Sequence, residues 1–397
     1  MATLQEAKQK MMELTGDHAI AYGAKQAGID FVAAYPITPQ TIIVEKLSEY
    51  LADGLINAKY INVESEHSAI SAVIGAELAG ARGFTATSSQ GLVLMFEELP
   101  VAAGMRMPLV MAVAMRALSA PINIHCDHSD MLSVRDQGWV MMIAENAQEA
   151  YDQTVMSFKI AEDPSVQLPV MYGIDGFITT HNMENVYTLP DEMVSEYLGV
   201  RKPLYRLDPD NPMTFGPLAL HDTYFEFRRQ QYDAMTNAYE VTKEVFGSYE
   251  QMSGRKYTPL KNYMTEDAEV LIFAAGSTVG TARQAVRKLR EEGVKAGVSG
   301  VTLLRPFPVP EVMETFSNVK AAAVLERMLS LGSPAGPHYM DLASVVYPQL
   351  DVRMYDFIYG LGGRDIDWAT IAHTAKTALS DAEHKRPNET RFLGVRE

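Results

Sequence analysis

Phe31-Val32-Ala33-Ala34-Tyr35-Pro36-Ile37-Thr38-Pro39 is an apolar run that ends at a threonine framed by prolines. Two other places repeat the pattern. Tyr60–Val63 leads into Glu66, and Pro108–Ala114 leads into Arg116. Short apolar runs bounded by turn residues read as strands buried on both faces, as in a parallel sheet. In an open α/β sheet, ligands bind in the crevice beyond the carboxyl ends of the strands. A hydroxyl, a carboxylate and a guanidinium delivered there from three strands form a candidate active site.

The alternation extends outward from these runs. A helix is expected over Gln40–Leu51, with Thr38 as its cap and Pro39 in its first turn. Another starts near Ser65, and its Ala69, Ala72, Val73, Ala76 and Gly80 recur at helical spacing. Phe84–Ser88 and Leu168–Ile174 read as strands, and Gly91–Ala103 and Glu145–Ala161 as helices. Repeated β-α units imply an α/β fold with a doubly wound parallel sheet over residues 1–182. Residues 183–261 carry Pro190, Pro203, Pro209, Pro212 and Pro217 and read as a connecting segment with a polar helix over His221–Phe246. A second α/β unit covers 262–397, with strands Val270–Ala274, Val298–Leu304 and Ala321–Leu325 and helices Thr278–Glu292 and Tyr339–Tyr347. Gly293 suits the C-cap of the first of these helices. Ala275-Gly276-Ser277 is either a tight turn or a cradle for an anion.

A chain of 397 residues is too long for one ordinary core, so two domains are the default. Its 47% hydrophobic and 21% charged content describes a globular protein. The net charge of -16 argues against a nucleic-acid partner, which would want a basic face. No apolar run approaches the roughly 20 residues that span a bilayer. Met1–Leu14 is polar and helical in pattern without a signal-peptide core, so a cytoplasmic location is expected. Cys126 is the only cysteine, which excludes an internal disulfide, a zinc ribbon or a cysteine-ligated iron–sulfur cluster. With His125 and His128 nearby it could suggest a metal site, but a structural or pocket-lining role is expected.

Each candidate also has a plainer reading. Glu66 could serve only the dipole of its helix, and Glu64 competes with it for the crevice. Arg116 could pair with Glu98 or Asp127 rather than clamp a substrate carboxylate. Ser88-Ser89-Gln90-Gly91 could line the cavity or merely turn. There is no GxGxxG after the first strand, no GxxxxGK[ST] and no GxSxG elbow. The Gly-Asp-Gly…Asn pattern that holds Mg²⁺ and thiamine diphosphate is also missing.

Tyr35–Pro39, Glu64–Ala69, Ser89–Leu92 and Arg116–Ile124 come in the order found in one family. So do Asp127-His128-Ser129-Asp130, Arg135-Asp136, Asp175-Gly176-Phe177, Leu304-Arg305-Pro306-Phe307 and Tyr359-Gly360-Leu361-Gly362-Gly363. Together they resemble the alpha, pyrimidine-binding subunit of 2-oxoacid:ferredoxin oxidoreductases, pyruvate:ferredoxin oxidoreductase being the best-known member. The resemblance implies a pyrimidine-binding domain followed by a transketolase-C-terminal-like domain. It implies thiamine diphosphate shared with a diphosphate-binding beta subunit, with Mg²⁺ and [4Fe–4S] clusters held by partner subunits. A gamma subunit, an iron–sulfur ferredoxin-like subunit, ferredoxin, a 2-oxo acid and coenzyme A complete the implied partners.

By the same resemblance Glu66 is the glutamate that hydrogen-bonds the aminopyrimidine ring nitrogen. Thr38 and Arg116 bind the substrate, Arg116 through its carboxylate. His125 and Cys126 depart from the residues common in the family, which leaves a branched, aromatic or dicarboxylic 2-oxo acid open beside pyruvate. A transketolase or 2-oxoacid dehydrogenase component, and a non-catalytic scaffold, are the other readings.

Overall fold

The computed structural model describes residues 9–396. In chain order its strands are β1 (Lys10–Leu14), β2 (Phe31–Ala34), β3 (Lys59–Asn62), β4 (Gly83–Thr87) and β5 (Val110–Met115). β6 (Val140–Ile143), β7 (Val170–Asp175), β8 (Glu184–Thr188), β9 (Leu260–Tyr263) and β10 (Val270–Ala275) follow. The last are β11 (Ala296–Val301), β12 (Leu303–Arg305), β13 (Ala321–Glu326), β14 (Arg353–Ile358) and β15 (Arg391–Phe392).

A seven-stranded sheet has the order β12-β6-β7-β5-β4-β2-β3, and all its pairs are parallel except β12 with β6. Every residue of β4 through β7 is buried, because helices cover both faces. Val110 and Ala112 belong to one core, and Met111, Val113 and Met115 to the other. The second core is continuous with Leu271, Phe273, Val324 and Met354 of a six-stranded sheet ordered β15-β14-β13-β10-β11-β9.

The chain runs from β2 outward to β3, then returns to β4 on the other side of β2. That reversal is the switch point at which such sheets open a crevice. The carboxyl ends of β7, β5, β4, β2 and β3, five adjacent parallel strands, all lie along this edge.

Five local expectations are corrected. Of the N-terminal stretch expected to be helical, residues 1–8 lie outside the described residues, and Lys10–Leu14 is a strand paired antiparallel with β8. The helix after β2 begins at Thr41, with Gln40 at its cap position, so Thr38 does not cap it. The helix expected over Gly91–Ala103 is two short ones, Ser89–Leu94 and Glu98–Gly104. The single strand expected over Val298–Leu304 divides at Thr302: β11 stays in the second sheet and β12 joins the first. The polar helix is longer than expected, Tyr224–Ser253, and it closes one face of the first sheet through Ala238, Phe246 and Tyr249.

Candidate functional site

Glu66 opens the helix Glu66–Leu78, whose cap Ser65 accepts a hydrogen bond from the Ser68 N–H. The residue is 6% exposed, and the one hydrogen bond that reaches its carboxyl among the described residues comes from its own backbone N–H. Burial raises its pKa above the ordinary glutamate value. It has crossed the end of β2 to lie against the end of β4. A Cβ built on Gly91 would stand 2.6 Å from Glu66 Oε1 and 2.5 Å from Thr87 Oγ1. The hydroxyls of Thr87 and Ser88 are themselves buried without partners. Glu64, the competitor, is exposed and hydrogen-bonded to Ser68, which lowers its pKa. The buried carboxyl is therefore Glu66.

Arg116 follows β5 directly and is 6% exposed. Neither Glu98 nor Asp127 pairs with it, and among the described residues no carboxylate does. Its guanidinium is held by two carbonyls instead. Nη1 donates to Thr38 O at 2.8 Å, and Nε donates to Asn123 O at 3.1 Å. Carbonyls orient a guanidinium without neutralising it, which leaves its charge available to an incoming anion. Thr38 is exposed, and its carbonyl brings it against Arg116. Glu66 is hydrogen-bonded to neither of them.

Buried polar residues fix the strand ends. Gln40, fully buried, accepts from the Ile37 N–H at 3.2 Å and donates to Ala86 O at 2.8 Å, tying the Thr38 turn to β4. Asp130 Oδ2 accepts from the N–H groups of Ser89 at 2.8 Å and Arg116 at 2.9 Å. One carboxylate thus holds the ends of β4 and β5 together. Burial lifts the Asp130 pKa to about 7 in spite of these donors.

The two sheets meet at Asp175, the last residue of β7. Its Oδ1 lies 2.9 Å from His128 Nε2. Its Oδ2 accepts from Arg327 Nη1 at 2.9 Å, from the Ser277 N–H at 3.1 Å and from the Ser277 hydroxyl at 2.6 Å. Burial alone would raise its pKa, but His128, Arg327 and Ser277 outweigh that and hold it well below the usual carboxylate range. The Ala275-Gly276-Ser277 turn does cradle an anion, and the anion is the protein's own. Cys126, His128 and Asp175 also group closely enough to suggest metal ligands. The cation beside this carboxylate is the Arg327 guanidinium. Cys126 is fully buried, whereas His125 is exposed and stacks on Phe177 at 5.2 Å between ring centres.

Sequence reasoning assigned no role to Asp130, Asp175 or Arg327. Arg327 carried the same signal as Arg116, a guanidinium directly beyond an apolar strand.

Residues 22–247 match the thiamine diphosphate-binding family of pyruvate flavodoxin/ferredoxin oxidoreductases. Residues 268–371 match core domain II of pyruvate:ferredoxin oxidoreductase. The chain belongs to this family, that of the 2-oxoacid:ferredoxin oxidoreductases. Pyruvate synthase subunit PorA of Thermotoga maritima is 46% identical over 97% of this chain and 98% of its own. The PorA subunit of Methanocaldococcus jannaschii is 44% identical over 97% of this chain and 98% of its own. Ketoisovalerate oxidoreductase subunit VorA of Pyrococcus horikoshii is 45% identical over 93% of this chain and 95% of its own.

Among solved structures, the 2-oxoglutarate:ferredoxin oxidoreductase of Magnetococcus marinus superposes on 93% of this chain with a TM-score of 0.71 and 21% identity. The chain spans 65% of that structure's chain. A split gene transketolase superposes on 93% of this chain and 99% of its own with a TM-score of 0.55 and 12% identity. These two likenesses support the fold, an α/β pair of sheets. No described helix is long and apolar enough to cross a membrane.

Proposed function

We propose that this chain is the pyrimidine-side subunit of a pyruvate:ferredoxin oxidoreductase. The complex would convert a 2-oxo acid and coenzyme A to acyl-CoA and CO₂, passing two electrons singly to ferredoxin. The observation that carries the proposal is the Glu66 carboxyl, buried at the switch point with no partner from another residue among the described residues. Burial raises its pKa, and the side of Gly91 facing it is bare. These residues fit an aminopyrimidine ring nitrogen as hydrogen-bond partner. When bound, thiamine diphosphate supplies the carbon nucleophile that adds to the 2-oxo group and accepts the electron pair left by CO₂.

Glu66 holds the proton that the ring nitrogen shares. Arg116, oriented by Thr38 O and Asn123 O, receives the substrate carboxylate, and the exposed Thr38 offers its hydroxyl to the substrate. In the proposed assembly a beta subunit supplies the diphosphate and Mg²⁺ site. A gamma subunit and a subunit carrying [4Fe–4S] clusters complete a cytoplasmic complex. Residues 1–182, 183–261 and 262–397 are proposed as pyrimidine-binding domain, connecting segment and transketolase-C-terminal-like domain.

The test is dye reduction by the natively purified complex with a panel of 2-oxo acids, with and without coenzyme A. Coenzyme A-dependent reduction by pyruvate is expected. Reduction by the branched 2-oxoisovalerate alone would replace pyruvate as substrate, the kind of oxo acid named for VorA, which is 45% identical to this chain. No reduction by any 2-oxo acid would overturn the proposal.

Arg116→Ala is expected to raise KM for the 2-oxo acid by roughly 100-fold, the scale of a lost charge-assisted contact of about 3 kcal/mol. Arg116→Lys should recover only part of it, since an ammonium lacks the fork. Unchanged KM in Arg116→Ala would remove the clamp role.

A further inference from the structure

One of the two carbonyls that orient Arg116 belongs to Asn123, and Asn123 is gripped from the second sheet. Its side chain Nδ2 donates to Gly362 O at 3.1 Å, and its Oδ1 accepts from the His125 N–H at 2.7 Å. The Gly362 N–H donates to Asp127 Oδ2 at 3.3 Å, and the Gly363 N–H donates to Cys126 O at 2.7 Å. The loop after β5 therefore lies hydrogen-bonded along the turn that follows β14. The fit leaves no room. Gly362 and Gly363 have φ of +61° and +80°, a region that favours glycine. A Cβ on Gly362 would overlap Asn123 Nδ2, and one on Gly363 would overlap the His125 Cβ.

We infer that the Gly360–Gly363 turn positions Arg116 for the substrate carboxylate, with Asn123 as the residue that transmits the constraint. The second sheet thereby enters the substrate site without touching substrate. The inference rests on the reading of Arg116 as the carboxylate clamp. Its physical basis is that a guanidinium without an ion pair is only as well placed as the carbonyls around it. Loosening Asn123 frees Nε of Arg116, and misplacement of a binding group by about an ångström can cost up to ~100-fold.

The experiment uses Asn123→Ala and Gly362→Ala in the assembled complex, with two readouts. The first is KM and kcat for pyruvate. The second is the rate at which phenylglyoxal modifies Arg116, followed by peptide mass, which needs no turnover. Asn123→Ala is expected to raise KM about tenfold with kcat within about twofold, the size of one or two lost hydrogen bonds. Arg116 modification should speed up at least ~3-fold, because the side chain spends more time unbound from its carbonyl. The double variant should be no worse than Gly362→Ala alone, since both changes break the same contact.

Unchanged Arg116 reactivity in Asn123→Ala would overturn the inference whatever happens to KM. Fully multiplicative effects in the double variant would do the same. Faster modification with KM unchanged would leave the positioning intact and overturn the reading of Arg116 as the clamp. Gly362→Ala is the variant at risk of misfolding, and Asn123→Ala, on a half-buried loop residue, tests the inference without it.

Discussion

In the assembled complex, Glu66→Ala is expected to lower kcat by roughly 10²–10⁴-fold, the range lost when a positioned proton-transfer group is removed. The fold should survive, because Glu66 bonds to nothing else among the described residues and its helix keeps the Ser65 cap. Glu66→Gln separates two possible roles. Glutamine keeps the shape and can donate a hydrogen bond, but it cannot exchange a proton. A fall as large as that of alanine would mean that the shared proton matters. A near-normal rate would mean that shape or a simple hydrogen bond suffices, and the proton role would be wrong. Glu64→Gln is the control, and this exposed carboxylate should leave kcat within about twofold, as surface changes remote from the site usually do.

The same side chain makes a second, independent reading possible. Burial raises its folded pKa above the unfolded value of about 4.3. A group shifted that way contributes stability that is complete below the unfolded pKa and is lost as pH rises through the folded one. Glu66→Gln removes this dependence. The variant should therefore gain stability relative to the unaltered chain as pH rises from about 4 toward neutrality. Thermal unfolding at several pH values across that range checks it, and parallel curves would show that the carboxyl carries no burial penalty.

Much of this site is legible in the sequence, for reasons that also explain what is not. β2, β4, β5 and β7 are buried on both faces, so their sequences are continuous apolar runs that need no partner to be recognised. Arg116 and Glu66 stand out because charge directly beyond such a run needs a reason.

Features decided by distant contacts leave no such mark. β1 and β8 are separated by about 170 residues, and neither is apolar enough to announce itself. Val298–Leu304 reads as one strand because the division at Thr302 is set by which sheet has a free edge, which is a tertiary fact. Thr38 loses the cap role because Gln40, bonded across to Ala86, fixes the turn from outside the helix. The anion in the Gly276-Ser277 cradle lies 102 residues upstream of Ser277, so the turn can be recognised but not its occupant.

That occupant carries the largest expected effect on stability. Asp175→Ala should destabilise the chain by roughly 3–5 kcal/mol, the cost of breaking a buried ion pair from one side. Arg327 is 3% exposed and would keep its charge with no carboxylate against it, and His128, 1% exposed, would lose its partner as well. Urea unfolding of the chain reads the loss as a lower midpoint.

The alternative explanation is that any cut at this packed junction does equal harm. Removing both charges, as in Asp175→Leu with Arg327→Met, tells the two apart. If the penalty is the stranded guanidinium, the double variant should recover a good part of the loss, because buried pairs are often replaceable by apolar residues of similar volume. If the penalty is packing, it should be worse than either single variant. The pH dependence gives a third check. Asp175 is held below the ordinary aspartate value of about 3.9, so its contribution is present above that pH and lost as pH falls through its depressed value. The gap between the unaltered chain and Asp175→Ala should therefore be constant at neutral pH and narrow only in strong acid. A gap that already closes between about pH 5 and 7 would show that Asp175 is not the group whose charge holds the two sheets together.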